Sequence, residues 1–158
     1  MSQKIIENKA KELLIPIIEK AGYEVVELKY STKGKLTYLE IFIYKKDGVS
    51  LNDCIFVNDL LDPILEEYDI TNGASYSLNI SSPGLDRSII TNDDFRRNLD
   101  VEIEIFLKPM KKKKIKHIGF LRFYDDDKIE IENKGIKTKI MRIDVLLVRP
   151  YININRIK

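Results

Sequence analysis

A proline–glycine stretch near the middle of the chain constrains its fold more than any other feature. The stretch runs from Ser81 to Arg87 and reads Ser-Ser-Pro-Gly-Leu-Asp-Arg. Pro83 fixes its own φ and favours an extended Ser82, so a strand that enters here must end. Gly84 can adopt the positive φ that a type II turn requires at its third position. We therefore expect a stiff corner between two parts of the chain, formed by Ser82, Pro83, Gly84, Asp86 and Arg87.

The charged residues that close this stretch have two interpretations. In the first, Asp86 and Arg87 form an ion pair across the joint, which is the commoner role for such an arginine. In the second, Arg87 faces a phosphate group or an acidic partner. The residues alone leave both interpretations open.

The residues before the corner predict two helices and three strands in the order α-β-β-α-β. Apolar residues recur at helical spacing from about Ser2 to Ala21, with Pro16 inside the run. A second helix begins after Ser50, a natural N-cap, with Asp53 three residues later in a weaker form of the capping box. This helix contains Pro63, which should bend it or cut it in two. The predicted fold class is α+β, with a three-stranded sheet covered by two helices on one face.

The second strand of this sheet alternates between aliphatic and aromatic side chains. The aliphatic residues are expected to face the helices, which leaves Tyr38, Phe42 and Tyr44 on the open face with Glu40 among them. Such an aromatic row can stack unpaired bases, can be covered by a partner, or can be inert.

The residues after the corner read as strands alone. Alternating apolar and polar residues predict five strands, at Val101–Leu107, Ile115–Phe123, Ile129–Glu132, Ile136–Met141 and Leu146–Arg149. Five short strands with tight connections favour a small closed barrel, which has no exposed edge. Before them, Phe95 is expected to anchor a short turn, with Arg96 and Arg97 exposed beside it.

Charge divides the chain into two unlike halves. Residues 1–90 carry 10 Lys+Arg against 14 Asp+Glu, a net charge of −4, and residues 91–158 carry 17 against 11, a net charge of +6. Five positive charges crowd one segment of the second half, the lysine loop: Lys111, Lys112, Lys113, Lys114 and Lys116. This loop is either a solvated, mobile segment or a contact for RNA phosphates, and its basic surroundings favour the contact. The acidic half would suit a basic protein.

Several function classes lack the residues that they need. His117 is the only histidine and Cys54 the only cysteine, so the chain has no zinc ligand set and no internal disulfide. It contains no glycine-rich nucleotide loop and no serine nucleophile elbow. We therefore predict a protein that is not an enzyme and that uses no cofactor or metal. The charged beginning of the chain and the lack of a long apolar run predict a cytoplasmic protein without a membrane span.

Two motifs resemble the bacterial ribosome maturation factor RimP family. The first is Ile80–Arg87 followed by the triplet Phe95-Arg96-Arg97, and the second is Gly48–Cys54, which is similar to the start of the family's second helix. The resemblance follows nearly the whole chain in order. One residue departs from the pattern, because Asp100 stands where the family usually has a glycine.

The resemblance implies an N-terminal α-β-β-α-β domain at residues 1–87 and a small SH3-like or Sm-like β-barrel at residues 88–158. It implies a non-catalytic factor that binds the free small (30S) ribosomal subunit and assists its assembly. The implied partners are 16S ribosomal RNA and a basic small-subunit protein near the decoding centre. The expected RNA contacts are Arg87, Arg96, Arg97 and the lysine loop, on a protein expected to be a monomer. The alternative from another class is a protein–protein adaptor whose barrel binds a peptide without RNA contact.

Overall fold

The computed structural model describes residues 2–84, 87–110 and 115–152. The chain forms two compact units, Met1–Pro83 and Gly84–Lys158, so their division falls inside the Ser81–Arg87 stretch. The first unit carries 9 Lys+Arg against 13 Asp+Glu and the second carries 18 against 12, which gives net charges of −4 and +6. No helix within the described ranges is long and apolar enough to cross a membrane.

The N-terminal unit has the predicted order of elements. Its helices and strands are α1 (Gln3–Lys20), β1 (Glu24–Lys33), β2 (Leu36–Tyr44), α2 (Leu51–Glu67) and β3 (Ser77–Ser81). β1 pairs antiparallel with β2, and β3 pairs parallel with β2, so β2 is the central strand of a three-stranded sheet. A parallel pair requires a long crossover connection, and α2 lies in that connection.

Side-chain caps begin both helices. The Ser2 hydroxyl accepts a hydrogen bond from the backbone N–H of Ile5 at 3.3 Å. The Ser50 hydroxyl accepts one from Asp53 N at 3.1 Å, while the Asp53 carboxylate accepts one from Ser50 N at 2.7 Å, which confirms the predicted capping box. α2 is a single helix that includes Pro63, so of the two predicted effects of this proline the cut is excluded.

Both helices pack on one face of the sheet, as expected. Their buried residues share a core with the strands: Ile6, Ala10, Leu14, Ile18, Val57 and Leu61 from the helices, with Leu28, Tyr30, Leu39, Ile41 and Ile43 from β1 and β2. Tyr38, Phe42 and Tyr44 alternate with the buried positions of β2, and each is half-buried. Ser31 and Ser77 flank Tyr38 on the neighbouring strands. What this aromatic row binds stays a prediction.

The C-terminal unit contains one short helix and five strands. They are α3 (Asn92–Arg97), β4 (Glu102–Leu107), β5 (Lys116–Tyr124), β6 (Lys128–Asn133), β7 (Ile136–Met141) and β8 (Val145–Pro150), with a 3-10 turn at Arg142–Asp144. The strands form one antiparallel sheet in the order β7-β6-β5-β4-β8. The predicted strands are therefore all present, and a helix stands where a turn was expected around Phe95.

The expected closed barrel is not formed. β7 and β8 are the two ends of the sheet, and in the described part of the chain they do not pair with each other. The free edge of β8 is covered instead by the segment before α3, where Ile89 N donates a hydrogen bond of 2.8 Å to Val148 O. The Ile89 side chain is buried in the same core as Phe95, Ile103 and Leu121. The segment before α3 is not a strand, yet its backbone pairs with one group of β8. In a closed barrel that group would pair with another strand.

Candidate nucleic-acid interface

The Phe-Arg-Arg triplet lies on α3, whose first turn is held by Asp94. The Thr91 hydroxyl accepts a hydrogen bond from Asp94 N at 3.1 Å. Asp94 Oδ2 accepts hydrogen bonds from the backbone N–H groups of Thr91 at 3.0 Å and of Ile90 at 3.1 Å. This capping box sets the direction in which the helix presents its side chains. Because Asp94 is only 6% exposed, its carboxylate is a buried charge.

Two arginines from the sequence motif converge on this carboxylate. Arg97 Nη1 lies 3.0 Å from Asp94 Oδ1, and Arg87 Nε lies 4.0 Å from the same oxygen. Burial raises the pKa of Asp94, but the hydrogen bonds from the Thr91 and Ile90 backbone and the charge of Arg87 outweigh burial, so the pKa lies below its ordinary value. The two arginines therefore compensate a buried charge within the C-terminal unit.

A third arginine packs on the phenylalanine of the triplet. Phe95 is buried and stacks on Tyr124 with the ring centroids 5.7 Å apart. The guanidinium carbon of Arg142 lies 4.5 Å from the Phe95 centroid. Arg142 Nη1 also donates to Asn92 Oδ1 and to the Asp125 carbonyl oxygen, each at 2.7 Å. Arg142 thus ties α3 to the turn between β5 and β6, which makes it a structural residue.

The two arginines of the triplet differ in exposure. The Arg97 side chain is 10% exposed, so the prediction that it is exposed beside Phe95 is wrong. Its position three residues after Asp94 on α3 directs it onto the buried carboxylate. The Arg96 side chain is 48% exposed and lies 3.4 Å from the exposed Asp93, an ion pair that solvent weakens. Of the two arginines of the triplet, Arg96 therefore has the more exposed guanidinium.

Part of the predicted interface lies outside the described residues. Lys111, Lys112, Lys113 and Lys114 belong to that part, and so does Asp86, the expected partner of Arg87. Ser82, Pro83 and Gly84 are described, and Arg87 N donates a hydrogen bond of 3.1 Å to Gly84 O. The turn type at Gly84, the Asp86–Arg87 pair and the role of this corner between the two units stay predictions.

Lys116 belongs to a cluster on the outward face of the C-terminal sheet, which we call the Phe106 cluster: Phe106, Lys116, Arg149 and Glu104. Lys116 Nζ lies 5.8 Å from the centroid of the Phe106 ring, and the guanidinium carbon of Arg149 lies 5.1 Å from it. Both cations pair with Glu104, Arg149 through a direct hydrogen bond and Lys116 at 3.8 Å. Two positive charges and one negative charge thus lie beside an aromatic ring. This arrangement suits a nucleotide, whose base can stack on the ring while its phosphate faces the cations.

Sequence reasoning missed Phe106 and Arg149 as members of this cluster. The alternation in β4 did provide a partial signal, because it places Phe106 on the same face as Glu104. The neighbours across the strands come from the register of the sheet, which pairs Phe106 with Lys116 of β5 and Glu104 with Arg149 of β8. A one-residue slip in either pair would turn the cations to the other face.

The described residues offer neither a metal site nor an activated thiol. Among the residues described, no group of three His, Cys, Asp or Glu side chains is placed to hold a metal ion. Cys54 on α2 is half-buried. Burial, and secondarily the charge of Asp53, raises the pKa of the Cys54 thiol, which disfavours the reactive thiolate at neutral pH.

Fold and site together define a mixed α+β protein with an acidic first unit and a basic second unit. Residues 13–86 match the family model of the RimP N-terminal domain. The N-terminal unit therefore belongs to the RimP family, and the resemblance seen in the sequence motifs is confirmed. Membership implies a general role in ribosome maturation, in a family that is non-catalytic and whose partner is a ribosomal subunit.

Proposed function

We propose that this protein is a non-catalytic, monomeric maturation factor that binds the free small ribosomal subunit in the cytoplasm and assists its assembly. The family match supports a role in ribosome maturation. The finer statement, that the partner is the free 30S particle, rests on the resemblance of the sequence motifs. In this proposal the five-stranded sheet of the C-terminal unit corresponds to the SH3-like or Sm-like domain of the family, with one edge covered by the Ile89 segment.

The C-terminal unit is the proposed contact for 16S ribosomal RNA. The observation that carries this assignment is the Phe106 cluster, because Lys116 and Arg149 flank one outward ring in a unit with a net charge of +6. Arg96 adds an exposed guanidinium, and Lys111–Lys114 lie just before Lys116 in the sequence. Arg87 and Arg97 hold Asp94, so in this proposal they position α3 rather than reach the RNA themselves.

The N-terminal unit is the proposed contact for a basic ribosomal protein near the decoding centre. Its net charge of −4 supports this assignment, because opposite charges steer partners together and disfavour wrong ones. The Ser82–Arg87 corner would then set the angle between an RNA contact and a protein contact. Binding of both would favour one arrangement of RNA and protein over immature arrangements.

Co-sedimentation with purified small subunits across a salt series tests the proposal. We expect binding to free small subunits and none to complete ribosomes. Replacing Arg96 and Lys116 by glutamine should weaken binding, and each lost phosphate contact should reduce the slope of log affinity against log salt by about one. Arg149 is left unchanged, because its removal would leave the Glu104 carboxylate short of a partner.

A matched control removes two charges elsewhere. Lys35→Gln and Lys46→Gln together change the net charge by the same amount at exposed positions of the acidic unit. This control should leave the salt slope unchanged. An R96Q/K116Q variant with the slope of the unaltered protein would remove the Phe106 cluster from the interface, and failure to sediment with small subunits at low salt would contradict the proposal as a whole.

A protein–protein adaptor remains the second candidate, and one observation favours it. A groove of about 260 Å³ lies between the segment Ser88–Ile90 and the start of β8, with Phe95 and Arg142 among its lining residues. Ile90 and Leu146 on its lining are 71% and 63% exposed, and such apolar exposure is common where a peptide docks. Ultraviolet cross-linking decides between the candidates, because the adaptor predicts no RNA attached to the segment around Lys116.

A further inference from the structure

The strand β3 has an edge that lacks the usual protection against pairing. It is the end strand of the N-terminal sheet, and in the described part of the chain its backbone pairs only with β2. Natural edge strands are usually blunted by charged side chains, by proline or by a bulge. β3 reads Ser-Leu-Asn-Ile-Ser and has none of these, and its register with β2 is regular. It therefore offers a row of backbone donors and acceptors to an added strand.

A groove of about 390 Å³ runs beside this edge. It is lined by Leu78–Ser81 from β3 and by Leu51, Cys54, Ile55 and Asn58 from α2, with Glu40 of β2. Leu51 is 77% exposed and Ile55 is 50% exposed, although both are large aliphatic residues. Leu78 and Ile80 are only half-buried against the core. An apolar wall next to an open backbone edge has the two components that recognise an extended peptide.

The charge of α2, the helix that forms one wall of the groove, selects among the occupants, although its acidic residues lie outside the groove lining. α2 carries five acidic residues and no Lys or Arg: Asp53, Asp59, Asp62, Glu66 and Glu67. The phosphates of RNA would be repelled by a helix of this charge. A second copy of this unit would bring its own acidic α2 to the contact, which like charges disfavour. An extended polypeptide with Lys or Arg at alternate positions and apolar side chains between them fits both the charge and the exposed aliphatic residues.

We infer that β3 and α2 form a docking site for an extended, basic segment of a partner protein, which adds to β3 as a further strand. The inference deepens and rests on the proposed function, because it places the basic-protein contact on one edge of the acidic unit. The added strand would pair with the backbone of Ser77–Ser81, and its apolar side chains would cover Leu51 and Ile55. Its basic side chains would lie near the carboxylates of α2.

Site-specific photo-cross-linking identifies the occupant. Leu51→p-benzoylphenylalanine places the photoreactive group on the groove wall, and the same replacement at Leu36, which is 59% exposed and lies outside the groove, is the control. Each variant is irradiated in complex with purified small subunits. We expect the probe at position 51, and not the one at 36, to attach to a Lys- and Arg-rich protein segment.

Two further measurements test the pairing. Hydrogen exchange of the Ser77–Ser81 amides should slow by about tenfold or more when small subunits bind, because strand addition protects them. Leu51→Lys with Ile55→Lys should weaken binding to small subunits by about tenfold through repulsion of the basic segment. The control pair Ile5→Lys with Leu36→Lys, also exposed aliphatic residues of this unit, should leave the affinity within about twofold.

The outcomes separate this inference from the proposed function. A basic protein segment attached at position 51, together with protected β3 amides, supports it. Attachment to 16S RNA overturns it, as does normal subunit binding with unprotected β3 amides, and the proposed function survives both results. Attachment to a second copy of this chain overturns the inference together with the proposed monomeric state, but not the proposed role in subunit assembly. If the unaltered protein does not bind small subunits at all, the proposed function fails and the inference fails with it.

Discussion

Asp100 Oδ1 accepts a hydrogen bond of 2.8 Å from Nη1 of Arg122, and the backbone of Asp100 has a φ of +65°. The resemblance to the RimP family predicts a glycine at this position. Aspartate tolerates the left-handed conformation better than most residues because its short side chain can form local hydrogen bonds. Asp100 N also donates to Leu121 O at 2.7 Å, so the turn keeps the backbone geometry that a glycine would provide.

Substitutions at Asp100 should separate backbone strain from the side-chain contact. Asp100→Gly should change the free energy of unfolding by less than about 1 kcal/mol, because glycine adopts a positive φ freely but loses an exposed ion pair. Asp100→Ala should destabilise by about 1 kcal/mol or more, because alanine retains the strain and also loses the pair. Urea unfolding measures both, and an alanine variant as stable as the unaltered protein would contradict this account.

Substitution of the two arginines of the triplet should affect different properties: the stability of the protein for Arg97, and binding to small subunits for Arg96. Arg97→Gln should destabilise the protein by about 3 kcal/mol, because it removes the closest cation from the buried Asp94. Arg96→Gln should change stability by less than about 0.5 kcal/mol, since its ion pair with Asp93 is exposed, yet it should weaken binding to small subunits. Thermal unfolding and co-sedimentation measure the two effects. Equal loss of stability in both variants would contradict the assigned roles.

Asp94 should make the stability of the protein depend on pH in the acid range. Its pKa in the folded state lies below the value of about 3.9 expected in the unfolded chain. Its stabilisation is therefore complete above the unfolded pKa and is lost as the pH falls through the folded pKa. Asp94→Asn should lower the free energy of unfolding at pH 7, and the difference from the unaltered protein should shrink below about pH 4. Asp93→Asn, on the exposed side of the same helix, is the control.

Asp53 should contribute a similar dependence in the N-terminal unit. Its carboxylate accepts hydrogen bonds from the Tyr23 hydroxyl, from the Ser50 backbone and side chain, and from Lys45 Nζ. The Tyr23 bond, followed by those from Ser50, holds the pKa of Asp53 well below its ordinary value. Asp53→Asn should therefore lower the melting temperature at pH 7, and the two proteins should converge as the pH falls below the unfolded pKa. The exposed Asp47→Asn should show no such trend, and a constant difference at all pH values would contradict the assignment.

The close packing of β5 against β6 should require a glycine at position 119. A Cβ atom at this position in β5 would lie 3.0 Å from Glu132 O and 3.2 Å from the Ile131 Cβ of β6. Both strands are paired on either side, so neither can move away easily. Gly119→Ala should destabilise the protein by about 1–3 kcal/mol in urea unfolding. Lys137→Ala on β7 is the control, and a Gly119→Ala variant of unaltered stability would show that the strands can separate.

Local patterns in the sequence were sufficient to predict most elements of the fold. The helical spacing that begins at Ser2, the capping box at Ser50 and the alternation along β2 each depend on residues a few positions apart. The hydrogen bonds of helices and caps are local, and so are the side-chain periods of helices and strands, so sequence spacing predicts them. The sequence left open whether Pro63 bends α2 or cuts it in two, and the structure excludes the cut. Leu61 before the proline and Ile64 and Leu65 after it pack against the same core, which supports a continuous helix.

The sequence alone determined the family motifs, the order of the elements and the opposite charges of the two units. Only the tertiary structure decided that Arg97 packs against the buried Asp94, that Lys116 and Arg149 meet at Phe106, and that Ile89 covers the edge of β8. The last two contacts join residues far apart in the chain, and their geometry follows from strand register and side-chain burial. Those quantities depend on the energy of the whole packed unit, which no short stretch of sequence specifies.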